Sequence, residues 1–129
     1  MSARIVVADD SLDIRTLIGF TLRRRGYTVL ETDAGDAALD LIRREQPDLA
    51  LLDVMMPGLN GLEVAQRLTA DPATAAIPII MLSAKGQLTE IEAGMATGAV
   101  AYLVKPFIPK EMAARVAEVL ASHRPGAAE

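Results

Sequence analysis

Leu49-Ala-Leu-Leu-Asp53-Val-Met-Met-Pro57-Gly58 decides the fold. Four apolar residues run into a carboxylate, and Pro57-Gly58 breaks the chain just beyond it. An uninterrupted apolar run with a sharp stop reads as a short strand buried on both faces. Asp53 then stands at the carboxyl end of that strand. A charge there is costly to bury unless something pairs with it. Asp53 therefore either caps a turn or performs chemistry, and its partners must come from elsewhere in the chain.

The flanking sequence repeats the pattern. Ile5-Val6-Val7-Ala8 is an apolar β-branched run followed at once by Asp9-Asp10, with Ser11 or Asp10 placed to cap a helix. Ile14, Leu17, Ile18, Thr21 and Leu22 recur at helical spacing as far as about Arg25, where Gly26 is a stop. Tyr27 to Thr32 reads as strand two. Asp33 is placed to cap a helix carrying Ala37, Ala38, Leu41 and Ile42, which Pro47 bounds. After the Asp53 strand, Gly61 opens a helix with Leu62, Val64, Ala65 and Leu68. Ile79 to Leu82 is strand four, ending at Ser83. Leu88, Ile91 and Met95 mark a fourth helix, closed by Gly98. Tyr102-Leu103-Val104 is strand five, ending at Lys105-Pro106. Lys110 to Ser122 is the last helix, with Met112, Val116, Val119 and Leu120 on one stripe. Residues 1–122 are expected to form one domain, and 123–129 a fraying tail.

Buried strands alternating with amphipathic helices imply a parallel sheet covered on both faces. In such sheets ligands bind beyond the carboxyl ends of the strands, at a topological switch point. Asp9, Asp10, Asp53, Ser83 and Lys105 all fall at such ends.

Composition narrows the chemistry. The chain has 129 residues, enough for one domain, and its 51 % apolar content supports a real core. Without cysteine there is neither a disulfide framework nor a thiolate metal site. No apolar run approaches the roughly 18 residues of a membrane span, and no signal-peptide pattern opens the chain. A net charge of −4 leaves no basic footprint for nucleic acid. Arg23-Arg24-Arg25 reads as a helix C-terminus meeting its dipole. There is no phosphate loop of the G-x-x-x-x-G-K-[ST] kind and no G-x-G-x-x-G after strand one.

Three crowded carboxylates need a cation. Oxygen ligands without His or Cys suit magnesium. Lys105 adds an ammonium and Ser83 a hydroxyl, so the set matches what a transferring phosphoryl group requires. A carboxylate can itself be the nucleophile, and Asp53, central in the strand order, is the candidate.

With these residues in hand the chain resembles the receiver domains of two-component response regulators over essentially its whole length. The resemblance rests on Asp9-Asp10, on Asp53 within DVMMPGLNG, on Ser83-Ala84 and on YLVKPF from Tyr102 to Phe107. It implies a flavodoxin-like α/β fold, a five-stranded parallel sheet in the order 2-1-3-4-5 with five helices. Asp53 is then the phosphoacceptor, and Asp9, Asp10, Asp53 and the backbone carbonyl of Met55 bind Mg2+ or Mn2+. Lys105 pairs with the phosphoryl group, Ser83 and Tyr102 form a switch, and Lys105-Pro106 is a cis peptide. The implied partners are a sensor histidine kinase or histidine phosphotransfer protein, and a downstream protein docking on the face of the fourth helix, strand five and last helix. A cytoplasmic, monomeric phosphoacceptor that binds no DNA itself is expected, rather than an enzyme.

Three departures stand out. Val100-Ala101 replace the acids that often precede the strand-five Tyr in the transcription-factor branch. Ile108 replaces a small polar cap before the last helix, and Lys85 lies just past Ser83. The alternatives are the regulatory part of a DNA-binding regulator, or a magnesium phosphohydrolase with an aspartyl nucleophile. The latter class usually places its nucleophile on strand one with a second Asp two residues on, a pattern absent here.

Overall fold

In the computed structural model, residues 3–84 and 98–123 are described. The elements follow as β1 (Arg4–Ala8), α1 (Leu12–Arg24), β2 (Thr28–Thr32), α2 (Gly35–Glu45), β3 (Leu49–Asp53), α3 (Gly61–Ala70), β4 (Ile79–Ala84), β5 (Ala101–Lys105) and α4 (Pro109–His123). All strand pairs are parallel, in the order β2-β1-β3-β4-β5. The expected helix around Leu88, Ile91 and Met95 lies outside the described residues, so among those residues the sheet carries four helices.

Side chains alternate along a strand, so a strand with two covered faces must be apolar throughout. Ile5, Val7, Leu49, Leu51, Ile80 and Leu82 point to one face, where Ile18 and Leu22 of α1 and Met112, Val116 and Leu120 of α4 cover them. Val6, Ala8, Ala50, Leu52, Ile79 and Met81 point to the other, against Leu39 and Ile42 of α2 and Val64 and Leu68 of α3. Fully burying each of these larger side chains is worth about 1.5–3 kcal/mol, which is what commits the chain to this layering.

Local signals set the helix ends, with some corrections to the sequence reading. Ser11, not Asp10, caps α1, its Oγ accepting from the Ile14 N–H at 3.3 Å. Asp33 does not cap α2. The cap position is Ala34, which makes no side-chain cap bond. Instead the Gly35 N–H donates to the Pro57 carbonyl at 3.1 Å, because the loop after β3 packs onto the start of α2. Asn60 forms a reciprocal capping box with Glu63 at the start of α3. Ala37 and Leu17 are exposed rather than buried, since the covered stripes run through Ala38 and Leu39 and through Ile18 and Leu22. His123 belongs to α4 rather than to a tail, with Nδ1 3.0 Å from the Val119 carbonyl oxygen.

Candidate functional site

Strand register brings the acids together. Ala8 pairs with Leu52, so Asp9 and Asp53, each the next residue, end neighbouring strands. Neighbouring strands run about 4.8 Å apart. The chain passes from β1 outward to β2 and then back across β1 to β3, so the site sits where the winding reverses.

Asp9 is fully buried and held on every side. Its N–H donates to the Thr32 carbonyl (3.2 Å), and its Oδ1 accepts from the Ser11 N–H (2.9 Å). Its own carbonyl accepts from Arg15 Nη1 (2.9 Å), and Oδ2 lies 2.8 Å from Lys105 Nζ. Asp53 is 5 % exposed, and its Oδ2 lies 3.3 Å from the same ammonium. Asp10, on the turn, is exposed. One carboxylate oxygen from each of the three acids lies within 4.8 Å of the others.

One lysine cannot neutralise three acids, and the titration of Asp53 registers the excess. Burial first, and the Asp9 charge second, push its carboxyl up to about 6, against the opposing pull of the Lys105 charge, the Lys105 hydrogen bond and the Met55 N–H. For Lys105, burial pulls its pKa down, but the Asp9 hydrogen bond and the charges of Asp53 and Asp9 outweigh it and hold the ammonium above its ordinary value. A site built from all-oxygen donors with surplus negative charge fits a hard divalent cation such as magnesium.

Close packing also shapes the site. A Cβ on Gly61 would lie 2.0 Å from the Asp53 carbonyl oxygen, so α3 starts hard against the end of β3. Met55 is 61 % exposed, and its backbone N–H bears on Asp53. Ser83 is buried at the end of β4, one residue beyond the partner of Asp53. Its Oγ lies 3.4 Å from the Ala84 carbonyl oxygen. Tyr102 is half-buried on β5, in register with Met81, and packs on the α2–α3 side of the sheet. The Lys105-Pro106 peptide is cis, as the resemblance implied. Lys85 lies outside the described residues.

Asp9, Asp10, Asp53 and Lys105 thus meet in one cluster. The sequence reading missed Arg15, Asn60 and the close approach at Gly61. Arg15 left one signal, a cation near the start of a helix, where the dipole disfavours it.

The profile of the response regulator receiver domain matches residues 5–117. The chain belongs to the response regulator receiver domain family. It is 43 % identical over 125 residues to the phosphate regulon transcriptional regulatory protein PhoB of Pseudomonas aeruginosa, covering 97 % of this chain and 55 % of that protein. It is 40 % identical over 116 residues to the DNA-binding response regulator MtrA of Mycolicibacterium paratuberculosis, covering 90 % of this chain and 50 % of that one. Among solved structures, the chemotaxis response regulator CheY4 of Vibrio cholerae superposes with a TM-score of 0.84 at 30 % identity, covering 93 % of this chain and 99 % of that one. The chain spans about half the length of the curated relatives it matches. As a receiver domain it is a two-component component with a flavodoxin-like fold, and no helix among the described residues is long and apolar enough to cross a membrane.

Proposed function

We propose that this receiver takes up one phosphoryl group on Asp53 from a phosphohistidine of a sensor kinase or phosphotransfer protein, and passes the signal to a protein partner. The observation that carries this is the meeting of Asp9, Asp10 and Asp53 within 4.8 Å, with Lys105 bridging two of them. An Asp53 carboxylate oxygen attacks phosphorus, the P–N bond breaks, and its electron pair returns to the imidazole. Asp9 and Asp10, with Asp53 and the Met55 carbonyl, hold the cation. Bound there, Mg2+ or Mn2+ supplies positive charge to the phosphoryl oxygens. Lys105, now shared by Asp9 and Asp53, exchanges a carboxylate for a phosphoryl oxygen. Ser83 supplies a hydroxyl to the same group, and Tyr102 follows Ser83 inward as the switch.

Residues 1–122 act as the receiver unit, in the cytoplasm, as a monomeric phosphoacceptor rather than a turnover enzyme. The face of β5 and α4 carries the output, and the helix expected beside it, around Leu88 to Met95, lies outside the described residues. A second reading, the regulatory part of a DNA-binding regulator, is favoured by the relatives of which this chain spans about half.

The test is intact-mass spectrometry after treatment with acetyl phosphate and magnesium. One phosphoryl adduct is expected on the parent chain, and none without divalent metal or in Asp53→Asn. Undiminished modification of Asp53→Asn overturns the assignment.

A further inference from the structure

Behind the acid cluster runs a chain of charges that phosphoryl uptake does not itself require. Arg15 Nη1 donates to the Asp9 carbonyl at 2.9 Å, while its Nε lies 3.5 Å from Glu31 Oε1 on β2. Glu31 Oε2 accepts from Arg23 Nη1 at 2.8 Å, and Arg23 Nη2 donates to the Val29 carbonyl at 2.9 Å. The Arg15 and Glu31 side chains are only 16 % and 25 % exposed, unlike the pairs of Arg44 or Arg115 at the surface.

The same charged side chains lie close over Gly19 of α1. Gly19 lies mid-way along α1, where glycine is unfavourable. A Cβ there would lie 2.7 Å from Glu31 Oε2 and 2.9 Å from Arg23 Nη1. Arg15 itself stands near the positive end of the helix dipole, against its own charge. Arg15 holds that position through its hydrogen bond to the Asp9 carbonyl.

That contact matters because of what hangs from it. The Asp9 carbonyl opens the turn from β1 to α1, and the next residue is Asp10. Asp10 is exposed, and among the described residues no hydrogen bond or ion pair holds its carboxylate. What places it is therefore the backbone of that turn, which fixes where its Cα–Cβ bond points. We infer that Arg15 is a positioning residue for the divalent-cation site, fixing the turn that aims Asp9 and Asp10, and that Glu31 acts through Arg15 by holding its guanidinium. The inference rests on the cation-dependent phosphoacceptor reading above. Partners that orient metal ligands are worth roughly 10–100-fold in metal affinity.

The test compares Arg15→Ala, Arg15→Lys, Glu31→Gln and the surface control Arg44→Ala with the parent. Amide NMR titration with magnesium chloride gives the dissociation constant, and circular dichroism first establishes that each variant is folded at the working temperature. Arg15→Ala is expected to weaken magnesium by roughly tenfold, the lower end for such partners. Glu31→Gln should weaken it less, Arg15→Lys should recover part of the loss, and Arg44→Ala should change nothing. Acetyl phosphate labelling of Arg15→Ala should be slow at low magnesium and return toward the parent rate at saturating magnesium, with unchanged final stoichiometry. If Arg15→Ala does not fold, Arg15→Lys and Glu31→Gln carry the comparison. Parent-like magnesium affinity in folded variants that merely melt earlier would overturn the inference and make the chain of charges a clamp between α1 and β2. A parent chain that binds no magnesium and takes no phosphoryl group would instead remove the phosphoacceptor reading, and this one with it.

Discussion

Lys105 reaches across β4 to place its Nζ 3.3 Å from Asp53 Oδ2, joining the last strand of the sheet to its central one. The pair is not balanced. The ammonium is closer to Asp9, at 2.8 Å, and Asp53 keeps a carboxyl that titrates near 6 instead of 3.8.

The consequence is a pH-dependent stability with a definite sign. The folded chain holds the Asp53 proton more tightly than the unfolded chain, so this group stabilises the fold fully below about pH 4 and the contribution is lost as pH rises through about 6. A shift of this size corresponds to about 2–3 kcal/mol. Urea unfolding in chelator, from pH 4.5 to 7.5, should show Asp53→Asn gaining on the parent as pH rises. Magnesium, which takes the carboxylate form, should restore the parent at the alkaline end. Parallel stability curves for the two chains would contradict this.

Asp10 gives a cleaner separation of stability from binding. It is exposed, it does not cap α1, and it adds a third negative charge to a cluster with one ammonium. Asp10→Asn should be as stable as the parent or more so in metal-free buffer, while losing magnesium affinity. A destabilisation above about 1 kcal/mol, large for an exposed change, would show that the turn needs this carboxylate structurally.

Two glycines should fail for different reasons. At Gly61 a Cβ meets the Asp53 backbone, at 2.0 Å from its oxygen, and Met81 Cε at 3.0 Å. Backbone cannot yield as a flexible side chain does, so Gly61→Ala should cost about 2–3 kcal/mol and slow labelling of Asp53. Gly26 has open space around it but a φ of +94°, so Gly26→Ala should cost only the conformational penalty, about 1 kcal/mol. Denaturant midpoints measure both, and equal losses would mean that crowding at Gly61 is relieved by a shift of α3.

What the sequence disclosed follows from the range of each signal. Runs such as Leu49 to Asp53 show two-sided burial directly, because every position is apolar, and the strand-end acids and Lys105 stand beside those runs. Contacts between distant loops were not visible. Nothing near Asp33 shows that Pro57 offers the carbonyl that replaces a cap at α2. Nor does the spacing of Arg15 and Glu31 show that they meet, since only the pairing of β1 with β2 and the packing of α1 bring them together. Gly61 read as a helix start, but its reason, contact with the Asp53 carbonyl, exists only once β3 and α3 are packed.

Around β5 and the start of α4 the surface is apolar with a charged border. Val100, Val104 and Ile108 are 36, 39 and 58 % exposed along the last strand and the approach to α4, with Lys110 and Glu111 exposed at the start of that helix. Self-pairing receivers of the transcription-factor branch use charged residues here, including acids before the strand-five Tyr. In this chain Val100 and Ala101 stand in those places, and Ala101 is buried. With those acids gone, an apolar strip bordered by charge suits a heterologous partner better than a charge-registered pair of copies. On the proposed reading, phosphorylation only biases an existing equilibrium at this face. Light scattering with and without beryllofluoride and magnesium should therefore show a monomer in both states. A stable dimer that forms only on activation, and disappears in Val100→Glu, would show that this face pairs with itself.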